Sequence, residues 1–310
     1  MGGGGEVETS ASVLTAGSDD AGLRLDAFLA ARGAFPSRAA AQRAIEGGLV
    51  SVRGASRPKN YRVEEGDRIG VESAPGRPAP PSDVPLVPEV YVDEQVIVVD
   101  KPAGLVTHPA PGHRGVTLAE LLPEGSRVVH RLDKDTSGLL LVARSEETLE
   151  ALQRQMKARE ITREYLALVE GRPDADSGTI DAPIGRDRGN RTVMSTRTDR
   201  ARDAITHFEV VERLPRTALL RVRLETGRTH QIRAHLAAIG HPVVGDPQYG
   251  GSPSGRRVGL DRQFLHASTL MFRHPSTREQ VRCESKPPVE LSHALDTARR
   301  EPVSGGPDGG

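Results

Sequence analysis

The sequence predicts an α+β protein of two folded units, a small N-terminal α/β unit and a larger one built on a mixed, largely antiparallel sheet. Three observations predict this. Residues 74–88 hold Pro75, Pro78, Pro80, Pro81, Pro85 and Pro88, and such a run favours an extended, semi-rigid connector. Apolar residues on both sides recur at helical and at alternating spacing, so each side carries both kinds of element. The chain has 310 residues, more than one average domain needs.

Residues 1–17 open with four glycines after Met1 and few large side chains, and read as a disordered tail. The first unit spans 18–73. Leu25, Phe28 and Leu29 recur at helical spacing, with Gly33 as the stop. Ser37 is placed to cap a second helix carrying Ala41, Ala44 and Ile45, closed by Gly47-Gly48. Leu49, Val50 and Val52 suggest a strand turning at Arg53-Gly54. Residues 62–72 suggest a hairpin around Gly66-Asp67. From Arg24 to Arg68 there are nine basic and five acidic residues, although Lys plus Arg equals Asp plus Glu over the whole chain. Arg38, Arg43, Arg53, Arg57 and Lys59 lie on or just after the second helix, a candidate face for phosphates or simply a solvated one.

The second unit spans 89–300, followed by a tail at 301–310. Val96–Val99 is a short apolar strand. Val128-Val129 and Leu139–Val142 flank a charged turn. Residues 146–159 form a helix with Leu149, Leu152 and Met156 on one side. Tyr165–Val169 and Phe208–Val211 are strand-like. Leu220, Val222 and Leu224 alternate with Arg221 and Arg223, a half-buried strand. Thr229 is placed to cap a helix with Ile232, Leu236 and Ile239, ended by Gly240.

Composition excludes several classes. With 36% hydrophobic residues and 3% aromatics, the chain has a core of small aliphatic side chains. A single cysteine, Cys283, rules out an internal disulfide and a zinc site of paired cysteines, and reads as a structural thiol. No run of about 18 apolar residues exists, so no membrane partner is expected. The start, Met1 to Gly5 and then Glu6-Val7-Glu8, is unlike a secretory signal, and a cytoplasmic protein is expected. No G-x-G-x-x-G follows a strand and there is no Walker loop, so no cofactor is expected. His230 and His235 lie five apart with no HExxH pattern and no completing carboxylate, so no metal is expected.

The most informative segment is His130-Arg131-Leu132-Asp133-Lys134-Asp135-Thr136-Ser137-Gly138-Leu139. By spacing alone it is a charged turn between two apolar runs, the kind of loop on which a rigid scaffold presents reactive groups. Its wording closely resembles the catalytic loop of RluA/RluD-type pseudouridine synthases. Further blocks follow that family's order: Asp100-Lys101-Pro102-Ala103-Gly104-Leu105 with His108-Pro109, then Arg163-Glu164-Tyr165, then Gly227-Arg228-Thr229-His230-Gln231-Ile232-Arg233-Ala234-His235 with Gly240-His241-Pro242 and Gly245-Asp246, and Leu265-His266-Ala267. Ala234 stands where valine is common. The N-terminal pattern Arg24-Leu25-Asp26-x-Phe28-Leu29, Ser37-Arg38, Ile45-x-Gly47 and Val50-x-Val52 resembles the S-four-like RNA-binding module of a small-subunit ribosomal protein. Arg53-Gly54 replaces that module's usual Asn-Gly turn. The resemblance spans roughly residues 20 to 295.

The resemblance implies a pseudouridine synthase fold with an S-four-like RNA-binding domain ahead of it, acting on structured RNA, in particular large-subunit ribosomal RNA. The reaction breaks the bond from ribose to uracil N1, turns the ring and joins the sugar to C5, which requires an everted base. The resemblance implies that Arg131 helps displace the base and that Asp133 attacks the sugar or removes a ribose proton. Tyr165 stacks on uracil and assists at C5, and Arg233 pairs with Asp133. His130, Lys101, Arg228, His230 and Leu265 complete the implied substrate-binding set, and Arg38, Arg43, Arg53, Arg57 and Lys59 the RNA-binding set. By spacing alone Tyr165 is a core aromatic and Arg233 a surface charge. For Arg186, Arg188 and Arg191, phosphate contact and plain solvation both stay open. A monomer is expected. Two other functions remain open: an RNA-binding assembly factor without catalysis, and a hydrolase that releases uracil.

Overall fold

The computed structural model describes residues 11–35, 38–72, 85–109, 115–190, 193–198 and 201–302. The chain divides into two compact units, residues 1–84 and 85–310. In the first, β1 (Ala11–Thr15), α1 (Leu25–Ala31), α2 (Arg38–Glu46), β2 (Val50–Val52) and β3 (Arg68–Glu72) form a three-stranded sheet of order β1-β3-β2 with two helices. Leu25, Phe28 and Leu29 of α1 pack with Ala41, Ala44 and Ile45 of α2 and with Val50, Val52 and Ile69 of the sheet.

Two expectations for this unit are corrected. The stretch read as tail contains β1, whose Ser12-Val13-Leu14 segment pairs antiparallel with β3 and fills an edge that β2 leaves open. The hairpin at 62–72 does not form. Residues 63–66 bond instead to the segment at 16–23, through Val63 N to Leu23 O at 2.9 Å and Gly66 N to Ala16 O at 2.9 Å, so only β3 remains a strand. Ser37, Arg191 and the linker residues 74–84 lie outside the described residues.

The second unit contains β4 (Glu89–Val92), β5 (Val96–Lys101), α3 (Leu118–Leu121), β6 (Arg127–Val128), β7 (Ser137–Ala143), α4 (Glu146–Lys157), β8 (Thr162–Glu170), β9 (Ser177–Asp181), β10 (Gly185–Arg186), β11 (Met194–Ser195), β12 (Ile205–Arg213), β13 (Thr217–Leu224), α5 (Gln231–Ala238), α6 (Ser252–Arg257), β14 (Leu265–Arg273), β15 (Gln280–Glu284) and α7 (Val289–Arg300). The main sheet runs β4-β5-β7-β14-β8-β13-β12-β9, with β15 beside β14 and β6 beside β7. Among the described residues its one parallel strand pairing joins β7 to β14, and the other strand pairings are antiparallel.

The central strands are covered on both faces, which explains why β5 and β7 read as unbroken apolar runs. Ile97, Val99, Leu140 and Val142 share a core with Ile232 and Leu236 of α5 and Leu291 of α7. Val96, Val98, Leu139 and Leu141 pack with Leu149 and Leu152 of α4. Ser145 caps α4 by accepting from Thr148 N at 3.2 Å, and Glu146 and Glu147 complement the dipole of its first turn. The cap of α5 is His230, in left-handed backbone, and not Thr229. The carboxamide of Gln231 takes up Arg228 N, a task expected of a cap side chain.

Candidate active site

The polar segment between β6 and β7 is held from below. Thr107 Oγ1 donates to Leu132 O at 2.9 Å, Gly104 N donates to Lys134 O at 2.9 Å, and Arg262 Nη1 donates to Asp135 O at 2.9 Å. Lys101 belongs to this support. Its fully buried ammonium donates to Pro102 O and Leu105 O at 2.8 Å and to Lys134 O at 3.0 Å. Burial pulls its pKa down to about 7, while the nearby carboxylates of Asp135 and Asp133 oppose that loss of charge. Lys101 is therefore not in the substrate-facing set the sequence suggested. The short step from β5 into the following turn directs its side chain beneath the loop.

Above this support Asp133 faces a cavity of about 680 Å³, a size suited to a small organic ring system. Asp133 Oδ2 accepts from Arg233 Nη1 at 3.1 Å. Arg233, on α5, is itself fixed by a two-pronged pair with the fully buried Asp246, at 2.6 and 2.9 Å, and by Gln248 Oε1 at 2.9 Å. Burial disfavours this charge, but the bonds from Asp246 and the nearby Asp133 overcome it and raise the Arg233 pKa. The guanidinium also lies 5.0 Å from the Tyr249 ring centre, which limits its swing.

Tyr165 lies on β8, flanked in the sheet by Val222 and Ala267. Burial raises its phenol pKa, Asp133 adds to the rise and Arg163 opposes it. Leu265, at the start of β14, contributes an apolar wall. His130, Arg131, Arg228 and His230 also face the cavity. His130 Nε2 accepts from Leu141 N at 3.2 Å, and burial, with Arg163 nearby, lowers its pKa to about 3, so the ring is neutral. Burial also lowers the pKa of His230, whose Nδ1 meets the Tyr249 hydroxyl at 3.2 Å. Arg228 Nε donates to Asp203 O at 3.0 Å. Arg131 is exposed, with no ion pair or hydrogen bond to its guanidinium among the described residues. Among the described residues no cluster of three metal-binding side chains occurs, and no helix is long and apolar enough to cross a membrane.

In the first unit the basic residues are partly engaged. Arg38 reaches the buried Asp26 at 3.3 Å, Lys59 pairs with Glu46 at 2.8 Å, and Arg53 pairs with Asp67 at 2.6 Å. Arg57 lies 5.5 Å from the Tyr61 ring centre. Arg43 falls on α2. Arg57 and Lys59 share a shallow pocket with Ser56 and Asn60.

Residues 95–238 match the family model described as RNA pseudouridylate synthase, and residues 23–69 match that of the S4 domain. The chain is 39% identical to the uncharacterized RNA pseudouridine synthase YlyB of Bacillus subtilis, over 93% of this chain and 98% of that protein. It is 41% identical to the ribosomal large subunit pseudouridine synthase D of Xanthomonas campestris, over 91% of this chain and 90% of that protein. The chain belongs to the RNA pseudouridylate synthase family. Among solved structures, the human RNA pseudouridylate synthase domain containing 1 aligns at a TM-score of 0.56 and 31% identity, covering 68% of this chain and 87% of that one. As a member of the family the chain is an RNA-modifying isomerase with an S4 domain ahead of its catalytic unit.

Of the site residues expected from sequence, Asp133, Tyr165, Arg233, Arg131, His130, Arg228, His230 and Leu265 converge on one cavity of this pseudouridine synthase unit, and Lys101 does not. Four residues around the site had no assigned role: Asp246, Gln248 and Tyr249, which hold Arg233, and Arg163, which lines the cavity. Asp246 was visible as part of Gly245-Asp246, but pairing to a side chain 13 positions earlier carries no local signature.

Proposed function

We propose that the chain converts uridines in structured RNA, specifically large-subunit ribosomal RNA, to pseudouridine, with Asp133 attacking the sugar. One observation carries this reading: Asp133 faces the cavity with an oxygen 3.1 Å from Arg233, and that arginine is locked by Asp246. A fixed cation keeps a carboxylate oriented, and aims its other oxygen at a bound sugar. From there the carboxylate either adds to ribose C1′ or removes the C2′ proton to give a glycal.

The exposed Arg131, two positions before Asp133 in the loop, is free to enter the stack as the uridine leaves it, which offsets part of the unstacking cost. Tyr165 stays protonated through burial and offers its ring face to uracil rather than a phenolate. The Leu265 wall helps retain the detached base while it turns, since an escaped base would leave an abasic site. Arg38, Arg43, Arg53, Arg57 and Lys59 contribute phosphate contacts from the S4 unit. The ribosomal substrate is supported by relatives named for the large subunit and by the S4 match. The same reading has the enzyme acting as a monomer in the cytoplasm, in keeping with a relative named for the ribosomal large subunit.

Carbodiimide mapping of ribosomal RNA from cells carrying wild-type or Asp133→Asn protein tests the assignment. Specific reverse-transcription stops are expected with wild type and none with the variant. Stops that persist with Asp133→Asn, in a strain without a paralogue, would remove Asp133 from the chemistry. Free uracil with abasic sites would instead identify a hydrolase.

A further inference from the structure

Arg163 is the anomaly of the cavity. It is 6% exposed and lines the same walls as Asp133 and Tyr165, yet it pairs with no carboxylate among the described residues. Its only hydrogen bond there is a long one, from Nη2 to Thr226 O at 3.4 Å, and its Nε is shut from solvent without an acceptor. Nη1 has no acceptor among the described residues. A buried cation is costly unless a counter-charge meets it, and guanidinium does not neutralise itself by losing a proton. Arg233, which lines the same cavity, has two carboxylates and an amide. The contrast shows that this fold supplies partners to a buried arginine where they are needed.

The guanidinium lies close against the backbone at Gly227: a Cβ there would lie 2.8 Å from Nη1, so a side chain at 227 would displace the end of Arg163. Arg163 also stands two positions from Tyr165 on β8, and alternate residues of a strand share a face. Arg163 is therefore a buried cation without a counter-charge among the described residues, on the strand face that carries Tyr165 and in the wall of the cavity that Asp133 lines.

We infer that Arg163 takes up the negative charge that uracil acquires when its bond to ribose breaks. The inference rests on the proposed roles of Asp133 and Tyr165. The C1′–N1 bond breaks heterolytically, and its electron pair stays on N1, shared with the two ring carbonyl oxygens. Asp133 compensates C1′ by adding to it or by taking the C2′ proton. After the ring turns, C5 bonds to C1′ as the Asp133–C1′ bond breaks or, on the glycal route, as the proton returns from Asp133 to C2′; the C5 proton leaves and N1 gains a proton, so the reaction is an isomerisation with no net redox change. A preset cation acts on this step because the charge exists only while the base is detached.

The test compares single-turnover loss of uridine and of 5-fluorouridine, read from nuclease digests of large-subunit ribosomal RNA transcripts treated with the full-length enzyme. Fluorine at C5 makes the ring a better leaving group, so stabilisation of the departing anion matters less. Arg163→Gln should slow the uridine transcript by on the order of a hundredfold, with a loss roughly ten times smaller on the fluorinated one, and RNA affinity unchanged. Should that variant fail to fold, Gly227→Ala carries the same comparison, because it crowds Nη1 without removing a charge. Equal losses on both transcripts overturn the inference. A loss confined to RNA affinity also overturns it, in favour of a phosphodiester contact. An active Asp133→Asn enzyme in this assay would fail the underlying reading, separately from either Arg163 outcome.

Discussion

Arg233 shows how one side chain joins stability to chemistry. Three of its contacts point away from the substrate space, to Asp246 twice and to Gln248, and one points to Asp133. Asp246→Asn keeps the shape but removes the charge that offsets a buried guanidinium. Breaking a buried pair on one side costs about 3 kcal/mol, so the transition of the catalytic unit should fall by roughly 6–12 °C in calorimetry. The remaining guanidinium should then lean on Asp133, lowering turnover more than RNA affinity. At this scale the sequence was legible where chemistry is encoded locally. Asp133, Arg131 and His130 are neighbours in one motif, and Tyr165 and Arg233 lie in blocks whose wording is specific. Lys101 and Asp246 were not legible. Lys101 was expected among the substrate-binding residues, and its turn beneath the loop onto three carbonyls depends on packing that no spacing rule contains.

Among the elements, the contact between β7 and β14 governs the site, because the loop that carries Asp133 leads into β7 and Leu265 begins β14. Gly138 makes it possible. Its φ is +113°, and a Cβ there would lie 2.3 Å from Ala267 O, on backbone that cannot turn aside. Gly138→Ala should cost roughly 3 kcal/mol and part the two strands. Hydrogen exchange should show lost protection in β7 and β14 with α4 unaffected, whereas an unaltered exchange pattern would count against this account. The helices α1, α2 and α4 were readable because apolar spacing, stops and caps agree within each. β1 was hidden by the glycines before it, and the supposed hairpin at 62–72 failed because its first arm bonds to residues 16–23 rather than to β3. The largely antiparallel sheet was readable from alternation in β13 and from unbroken apolar runs in β5 and β7, but strand order depends on long-range pairing.

For the whole molecule, acid should be a specific weakness. His130 is neutral in the fold, with its pKa lowered from 6.5 to about 3 by burial and by Arg163. Between those values the unfolded chain binds a proton that the folded chain does not, so stability falls as pH drops through this window and rises again towards neutrality. His130→Asn should make the acid limb of the stability curve shallower by up to one proton, about 1.4 kcal/mol per pH unit. Denaturant midpoints from pH 3 to 7 measure this, and parallel curves for the two proteins would show that His130 does not titrate alone. The division into two units was legible from the proline run, since each side has its own core. The parallel contact has a further consequence during synthesis. Ser137 and His266, which meet there at 3.0 Å, are 129 residues apart in the chain, and closing so long a loop is entropically slow. The N-terminal unit, which has a core of its own, emerges from the ribosome long before β14 exists, so it can close while the cavity of the second unit still lacks one of its walls.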